Sequence, residues 1–410
     1  MLSTALSIDR ALAQVTADPL RSLPRVVFLA ASSTSPVVYS SARGYAHLPS
    51  TPGPLDELAQ LGATSVSDKS VFELFSAGKL VTTIAALQLV DEGRLSLDDD
   101  ARAVVTELAG MKRFVKFGED EEPVLEENNE AITVRQLMTH TAGFTYGFFH
   151  PDLDKIADKA GVGASPYCAE ATKEWLFKYP LWHRPGKRFQ YGLSIDWLGL
   201  VIEAVSGLPL EEYLRKRIFR LLGIDDASFA PNPSQVSMAY TPPSANELYT
   251  FSPPPPMSTS HSFGGCGLKC SALSFVRILC CLLNGGKDAE SGTQLLKPET
   301  VDLMFSPQLE TEQQRKDVAP LAALMEPSGL ALKGANFGLG GVLVGKGHSG
   351  GRGKGSLTWS GASNNSWVVD REHDIAFVVF SDVLPFPSPA VKEVWCKVEA
   401  ELYKGLKEEK

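Results

Sequence analysis

Strand-like segments lie near both ends of the 410-residue chain, and a largely helical stretch separates them. Residues 25–31 and 37–42 are two apolar runs joined by Ser-Thr-Ser-Pro, a pattern typical of a β-hairpin. Towards the other end, further strand-like runs occupy residues 337–344, 365–370 and 375–380, and an amphipathic helix follows at 390–406. We therefore predict an α/β (α+β) fold in which one sheet is completed by both ends of the chain.

The same pattern predicts two domains. Residues 1–95 and 335–410 would form an α/β domain, and residues 96–334 a mainly helical domain inserted into it, with the active site at their interface. Helical patterns inside the insertion lie at residues 132–138, 195–205, 210–222 and 272–283. The four prolines at 253–256 are interpreted as a stiff loop, because patterned segments continue on both sides.

Composition argues against two classes of partner. The net charge is −9 and no basic stripe occurs outside the short tail at 404–410, so nucleic acid is not expected to bind. No stretch reaches the roughly 20 apolar residues that span a bilayer. Residues 1–10 lack the basic start and long apolar run of a signal peptide. We therefore expect a cytoplasmic protein without a membrane partner.

The six cysteines indicate neither a metal site nor a disulfide framework. They form no C-x-x-C pair, and no histidines follow them at the spacing of a zinc site. They are interpreted as buried, reduced thiols, in keeping with an intracellular compartment. Their positions are Cys168, Cys266, Cys270, Cys280, Cys281 and Cys396.

Ser76 and Lys79 are the strongest candidates for chemistry. Lys79 is the only charge between residues 76 and 90, and residues three apart share a helix face, so the hydroxyl and the amine can meet. Apolar surroundings disfavour the charged ammonium and make a neutral amine available as a base. A serine beside such a base is an activated nucleophile. The alternative is a serine that caps a helix, followed by a lysine that reaches solvent.

Two further segments can complete such a site. Tyr191 lies in the loop 185–194, where a phenol can face a nucleophile, although most loop tyrosines only pack. The small residues at 360–362 allow a backbone N–H to approach a ligand closely. Together with the N–H of Ser76, that group would form an oxyanion hole. A simple glycine turn is the alternative for this segment.

Two other motifs are interpreted as structural. Residues 347–351 match G-x-S-x-G, but the glycine-rich residues that follow do not form the helix that a nucleophile elbow requires. We interpret this stretch as a flexible loop. His140 follows a predicted helix, and we expect local hydrogen bonds to hold it there.

Five segments resemble, in order, landmarks of the serine β-lactamase-like (penicillin-binding-protein-like) family. They are residues 74–99, 137–144, 191–199, 264–268 and 357–361. The resemblance covers nearly the whole chain and is closest to the fungal lovastatin-type acyltransferases, or transesterases. It implies an antiparallel sheet flanked by helices, beside a large all-helical domain.

The resemblance also implies a role for each residue singled out above. Ser76 would be the nucleophile, Lys79 the general base, and Tyr191 the proton shuttle. The oxyanion hole would consist of the N–H of Ser76 and that of Gly361 or Ala362. An acyl group would rest on Ser76 and pass to an alcohol or to water, without a metal or a cofactor.

Departures from the family pattern bear on the substrate. Trp359 stands where penicillin-recognising enzymes carry a cation that pairs with the substrate carboxylate, which an indole cannot do. β-Lactams and cell-wall peptides are therefore poor candidates, and Trp359 would present an apolar wall. Ser360 replaces a usual glycine, and Gly78 inside the predicted helix costs about 1 kcal/mol relative to alanine. Tyr146 and Phe148 join Trp359 and Ser360 as predicted substrate contacts.

Three functions are compatible with these residues. The first is an acyltransferase that moves an acyl group from a small-molecule thioester or ester, such as a coenzyme A or carrier-protein thioester, to a hydroxyl of a secondary metabolite. The second is a carboxylesterase that uses the same residues. The third is a catalytically inactive protein that binds a ligand or acts as a scaffold. The sequence barely separates the first two, because pocket shape and water exclusion decide between them.

Overall fold

The computed structural model describes residues 2–48, 62–161, 171–240, 250–252, 260–325, 334–347 and 350–408. Its strands, in chain order, are β1 (Arg25–Ser32), β2 (Ser35–His47), β3 (Thr64–Ser65), β4 (Val71–Glu73), β5 (Lys112–Phe117), β6 (Pro123–Glu127), β7 (Met238–Tyr240), β8 (Thr250–Ser252), β9 (Lys269–Ser271), β10 (Asn336–Phe337), β11 (Val342–Leu343), β12 (Leu357–Ser360), β13 (Ser366–Asp370), β14 (Ile375–Phe380) and β15 (Val383–Leu384). Its α-helices are α1 (Leu2–Val15), α2 (Lys79–Asp91), α3 (Thr106–Ala109), α4 (Val134–Met138), α5 (Pro151–Lys159), α6 (Ser194–Ser206), α7 (Leu210–Leu214), α8 (Ala272–Leu283), α9 (Pro298–Met304), α10 (Glu312–Met325) and α11 (Pro389–Glu408).

One large sheet organises the molecule. Its eight strands run in the order β10-β11-β12-β13-β14-β1-β2-β3, and every neighbouring pair is antiparallel. β1 and β14 lie side by side, with Leu29 opposite Val378. The prediction of one sheet completed by both ends of the chain is therefore confirmed.

Both faces of this sheet are covered, which explains why β1 is apolar from Val26 to Ala31. Val27, Leu29 and Ala31 point into the core that also contains α2 and α8. The alternate residues Val26 and Phe28 point into a second core, against α1 and α11. Successive side chains of a strand point to opposite faces, so a strand buried on both faces carries an unbroken apolar run.

Local signals fix several helix ends. Thr133 and Gln136 form a capping box at the start of α4, since each side chain bonds the backbone of the other residue. The α6 helix ends at Gly207, whose φ of +75° is the left-handed conformation that glycine adopts at helix ends. Ser271 caps α8 by accepting the N–H of Ser274.

The predicted domain boundaries remain a prediction. The α8 helix lies within the predicted helical insertion at 96–334, but it packs against β1 and β14 of the sheet. The α2 helix contacts α6 of the helical part, and the turn that precedes α2 contacts β12 of the sheet. The segment that carries Ser76 thus lies where the sheet meets the helical part.

Three predicted elements differ from the structure. Residues 337–344 are two short strands, β10 and β11, because a turn with Gly340 at φ +108° separates them. The predicted helix at 210–222 is α7 followed by a π turn and a 3₁₀ turn. Gly78 ends a 3₁₀ turn and caps α2. Its backbone angles (φ −70°, ψ −14°) are still helical, so the predicted cost of a glycine at this position stays a prediction.

Some features singled out in the sequence lie outside the described residues. These are Cys168, the prolines at 253–256, and His348 and Ser349 of the G-x-S-x-G match. Within the described part of the chain, none of the helices combines the length and the apolar character needed to cross a bilayer.

Candidate active site

Ser76 lies in a tight turn between a strand and a helix. β4 ends at Glu73, a 3₁₀ turn runs from Phe75 to Gly78, and α2 begins at Lys79. Phe75 has a φ of +46°, which is unusual for a bulky residue and is found where surrounding contacts impose it. Ser76 is 7% exposed. The turn therefore presents a nearly buried hydroxyl at the start of a helix.

Lys79 lies close enough to Ser76 to form the predicted pair. Its Nζ is 3.0 Å from Ser76 Oγ, 3.0 Å from Tyr146 Oη and 2.6 Å from the carbonyl oxygen of Gly265. A charged ammonium can donate to all three oxygens. A neutral amine can instead donate to Gly265 and Tyr146 and accept the Ser76 hydroxyl proton. The same geometry accommodates both protonation states that a general base needs.

Tyr191 also lies beside Lys79, and it is the ring of Tyr191 that faces the lysine amine. Lys79 Nζ is 5.1 Å from the centroid of the Tyr191 ring. The Tyr191 hydroxyl is buried and has no hydrogen-bond partner among the described residues. Tyr146, predicted only as a substrate contact, is 2% exposed and holds the hydrogen bond to Lys79. Two phenols therefore surround the lysine, and one of them has its hydroxyl uncommitted.

His140 holds the loop that carries Tyr191. Its Nδ1 accepts the N–H of Gly192 at 3.4 Å, and its carbonyl oxygen accepts the N–H of Gln190 at 2.8 Å. Burial, followed by the charge of Lys79, lowers the pKa of His140 well below its ordinary value. The neutral ring suits an acceptor of a backbone N–H. The bonds that hold His140 therefore come from a segment about 50 residues away and not only from its own turn, and its purely structural role stays a prediction.

The predicted oxyanion hole needs one correction. The N–H of Gly361 donates to the carbonyl oxygen of Asn365 at 2.7 Å, so it is not available to a substrate. Ala362 is the next residue and is partly exposed. Gly361 serves instead to bring the strand close, because a Cβ at this position would lie 2.1 Å from the carbonyl oxygen of Leu74. Of the two residues predicted for the second donor, Ala362 therefore remains, and its role stays a prediction.

Ser360 and Trp359 point to opposite sides of β12. The Ser360 hydroxyl lies 2.6 Å from that of Ser366 and donates to the carbonyl oxygen of Met325 at 3.0 Å. The prediction of Ser360 as a substrate contact is therefore wrong, because strand alternation turns it away from Ser76. Trp359 packs beside Tyr191 with ring centroids 5.2 Å apart. Its indole N–H is buried without a partner among the residues described.

A buried carboxyl group near the lysine was not anticipated. Asp196 Oδ1 accepts the N–H of Gly265 at 2.9 Å, and Gly265 in turn accepts from Lys79. Burial, partly offset by the charge of Lys79, raises the pKa of Asp196 to about 6. A Cβ on Gly265 would lie 2.5 Å from Asp196 Oδ2, which explains the glycine. The only sequence signal is a carboxylate among the apolar residues at the start of α6.

Exposed aromatic side chains border the two tyrosines. Phe148 stacks on Tyr146 with ring centroids 5.0 Å apart, and it is 57% exposed. Phe149 contacts both Phe148 and Tyr191 and is also exposed. Trp175, by contrast, is an aromatic residue of the core. The predicted substrate contact at Phe148 thus lies on an apolar rim next to Lys79.

Comparison with known proteins places this arrangement in a family. The sequence profile of the beta-lactamase family matches residues 21–395. The chain belongs to this family. The lovastatin esterase of Penicillium rubens is 35% identical over 336 residues, which cover 77% of this chain and 80% of that protein. The monacolin J acid methylbutanoyltransferase of Aspergillus terreus is 30% identical over 362 residues, or 85% of each chain.

Solved structures of this beta-lactamase family fold match the whole chain. A LovD6 mutant of simvastatin synthase from Aspergillus terreus has a TM-score of 0.85 at 27% identity, covering 99% of this chain and 96% of the other. The hydrolase EstCE1 has a TM-score of 0.73 at 19% identity, over 98% and 99% of the two chains, and shows the fold alone. The predicted fold is confirmed. So is the predicted enzyme class, a serine-dependent acyltransferase or esterase.

Proposed function

We propose that this protein transfers an acyl group from a thioester or ester to a hydroxyl of a secondary metabolite through an acyl-Ser76 intermediate. The observation that carries the proposal is the position of Lys79 Nζ, 3.0 Å from Ser76 Oγ and enclosed by two tyrosines. The names of related proteins, a methylbutanoyltransferase and a simvastatin synthase, support acyl transfer to a metabolite.

The first half-reaction would acylate Ser76. Lys79, as the neutral amine, accepts the hydroxyl proton while Oγ attacks the donor carbonyl carbon. The negative charge on the carbonyl oxygen is met by the N–H groups of Ser76 and Ala362. When the carbonyl re-forms, the bond to the leaving thiolate or alkoxide breaks. The leaving group then takes a proton from Lys79 through the uncommitted hydroxyl of Tyr191.

The second half-reaction would reverse these roles with a new oxygen. The acceptor hydroxyl gives its proton to the Tyr191 oxygen, which passes its own proton to Lys79, as the acceptor oxygen attacks the acyl carbon. The negatively charged oxygen of the second tetrahedral intermediate accepts hydrogen bonds from the same two N–H groups. When this intermediate collapses, its bond to Ser76 Oγ breaks and Oγ recovers its proton from Lys79. The product is an ester of the acceptor.

Hydrolysis is the second candidate, and one observation favours it. The lovastatin esterase of Penicillium rubens is 35% identical to this chain and carries a hydrolytic name. Water would then take the place of the alcohol at the acyl-enzyme. The exposed apolar side chains of Phe148 and Phe149 would favour binding of an apolar acceptor beside the site.

Trp359 bears on the choice of acyl donor, and the cysteines bear on the cellular location. Trp359 provides no cation to pair with a carboxylate, so we favour a donor whose acyl group is uncharged. A coenzyme A or carrier-protein thioester of an uncharged acyl group, such as butanoyl, meets this condition. Cys266, Cys270, Cys280 and Cys281 are buried thiols. They fit a reducing compartment, and we place the protein in the cytoplasm.

The first test is an acylation experiment with the butanoyl thioester of N-acetylcysteamine, followed by intact-mass measurement. We expect one butanoyl adduct in the unsubstituted protein and in Ser70→Ala, which removes another buried serine hydroxyl. We expect no adduct in Ser76→Ala. A persistent adduct in Ser76→Ala would overturn the nucleophile assignment. No adduct in any of the three would favour an inactive binding protein.

A chase then separates transfer from hydrolysis. The isolated acyl-enzyme is incubated in buffer alone or with monacolin J acid, the compound named in the methylbutanoyltransferase relative. Faster loss of the adduct with monacolin J acid, together with a butanoyl ester product, supports an acyltransferase. Equal loss in buffer alone, with free butanoate as product, supports an esterase.

A further inference from the structure

The two N–H donors predicted for the oxyanion hole lie on separate segments of the chain. Ser76 belongs to the turn after β4, and Ala362 belongs to the connection between β12 and β13. An oxyanion hole is effective only when both donors are held 2.7–3.1 Å from one developing charge, a general requirement of such sites. Some feature of the structure must therefore fix the distance between the two segments.

Asn365 is bonded to both segments. Its side-chain Nδ2 donates to the carbonyl oxygen of Glu73 at 3.0 Å, three residues before Ser76. Its backbone carbonyl oxygen accepts the N–H of Gly361 at 2.7 Å, one residue before Ala362. The residue is fully buried. One side chain and its own backbone thus connect the nucleophile turn to the segment of the second donor.

Further bonds hold the Asn365 amide in one orientation. Its Nδ2 also donates to Asp382 Oδ1 at 2.6 Å, and its Oδ1 accepts the N–H of Ser381 at 2.7 Å. Asp382 Oδ2 accepts the N–H of Glu73 at 3.0 Å. The N–H of Glu73 is therefore held by Asp382, and its carbonyl oxygen by Asn365. Asn365 and Asp382 are also bonded to each other.

We propose that Asn365 is a positioning residue that sets the distance between the N–H groups of Ser76 and Ala362, and so stabilises the tetrahedral intermediate. This inference rests on the proposed acyl-Ser76 chemistry. The close backbone approach of Gly361 to Leu74 brings the two segments together, and the hydrogen bonds of Asn365 hold them at that distance. The Ser363 hydroxyl of the same connection also donates to the carbonyl oxygen of Glu73, at 2.7 Å. Asn365 differs from Ser363 because its own carbonyl oxygen also accepts the N–H of Gly361, next to Ala362.

The neighbouring residue provides a matched control. Asn364 is also a buried asparagine of the same connection, and its Nδ2 donates to the carbonyl oxygens of Val383 and Pro385. It makes no bond to the nucleophile turn among the described contacts. Because Asn364 has a φ of +61°, glycine is the replacement that removes the side chain without backbone strain. Asn365→Ala and Asn364→Gly therefore each remove one buried amide.

The experiment compares both variants with the unsubstituted protein. Thermal unfolding measures stability, p-nitrophenyl butanoate measures kcat and KM, and butylboronic acid, which forms a tetrahedral adduct with a serine, measures binding of the charged intermediate. For Asn365→Ala we expect kcat to fall about tenfold to a hundredfold, as expected for misplaced groups of this kind, with KM nearly unchanged. Boronate affinity should fall by a similar factor.

Asn364→Gly should lower the unfolding temperature like Asn365→Ala but keep kcat and boronate affinity near those of the unsubstituted protein. Equal losses of boronate affinity in both variants would overturn the proposal in favour of a general structural role. Unchanged kcat and boronate affinity in Asn365→Ala would also overturn it. If Asn365→Ala does not fold, Asn365→Ser is measured by the same criteria. Failure of the unsubstituted protein to acylate Ser76 would overturn the proposed function itself, and this inference with it.

Discussion

Lys79 Nζ lies 3.0 Å from the hydroxyl oxygen of Tyr146, while the nearby hydroxyl of Tyr191 is left without a partner among the described residues. The two tyrosine rings are in contact, with centroids 5.6 Å apart. The lysine thus has one phenol that holds it and another that is available to a substrate. This difference between two chemically equal side chains leads to a direct prediction.

Tyr191→Phe should impair turnover much more than Tyr146→Phe. Removing the proton-carrying hydroxyl of Tyr191 should lower kcat/KM for p-nitrophenyl butanoate by about a hundredfold or more, as for other general acid–base groups. Tyr146→Phe removes one hydrogen bond from Lys79, which is worth about 1 kcal/mol, or roughly fivefold. Steady-state kinetics on both variants checks this order. The reverse order would make Tyr146 the proton carrier.

Gly361→Ala should damage both the fold and the site. The added methyl group would lie 2.1 Å from the Leu74 carbonyl oxygen, a backbone atom that cannot move aside cheaply. We expect a loss of about 1–3 kcal/mol in the free energy of unfolding, as for other overpacked sites. Turnover should be lost because the nucleophile turn is displaced. Gly110→Ala is the control, since its nearest neighbouring atom is 3.8 Å away; equal urea midpoints for the two variants would contradict the prediction.

Asp196 should make stability depend on pH. Burial raises its pKa to about 6 from an ordinary value of 3.8, so the folded protein binds this proton more tightly than the unfolded chain does. Its contribution to stability is therefore fully present below about pH 4 and is lost as the pH rises through 6. The full effect is about 3 kcal/mol, from about 1.4 kcal/mol per pKa unit.

Asp196→Asn isolates this effect, because its side-chain oxygen can still accept the N–H of Gly265. Urea unfolding of both proteins at several pH values should show the unsubstituted protein losing stability relative to the variant as the pH rises from 4 to 7. Parallel stability curves over that range would show that Asp196 titrates normally.

Phe148→Ala should lower activity in a manner that depends on acyl length. Burying one methylene group is worth about 0.8 kcal/mol, or roughly fourfold, so an apolar rim favours longer chains. We expect kcat/KM for p-nitrophenyl hexanoate to fall more than that for the acetate. Leu6→Ala is the matched control, because Leu6 is 58% exposed and Phe148 57%. A uniform loss for all chain lengths would remove Phe148 from the acyl site.

Features set by local sequence were predicted well. The bounds of β14 and α8 agree with the strand predicted at residues 375–380 and the helix predicted at 272–283. Ser76 and Lys79 meet because three-residue spacing in a helical turn fixes their approach, whatever the rest of the chain does. Periodicity and spacing are local properties, and a single sequence contains them in full.

Contacts between distant segments could not be predicted in the same way. The bond from Lys79 to Tyr146 joins residues 67 positions apart, and that from Asn365 to Glu73 joins residues 292 apart. Alternate residues of a strand face opposite sides of the sheet, which explains why Ser360 turns away from Ser76. Which residues face which side depends on the register in which β12 pairs with β13. These features become visible only when the sheet is assembled.

The pairing of β1 with β14 has a consequence for how the protein is made. During synthesis β1 emerges early, and its partner at residues 375–380 emerges only after the whole helical part has been translated. Until then one edge of an apolar strand is open, and open edges pair readily with other chains. Closing such a long connection is also slow. We therefore expect the open edge of β1 to be a site of contact with other chains until β14 joins the sheet.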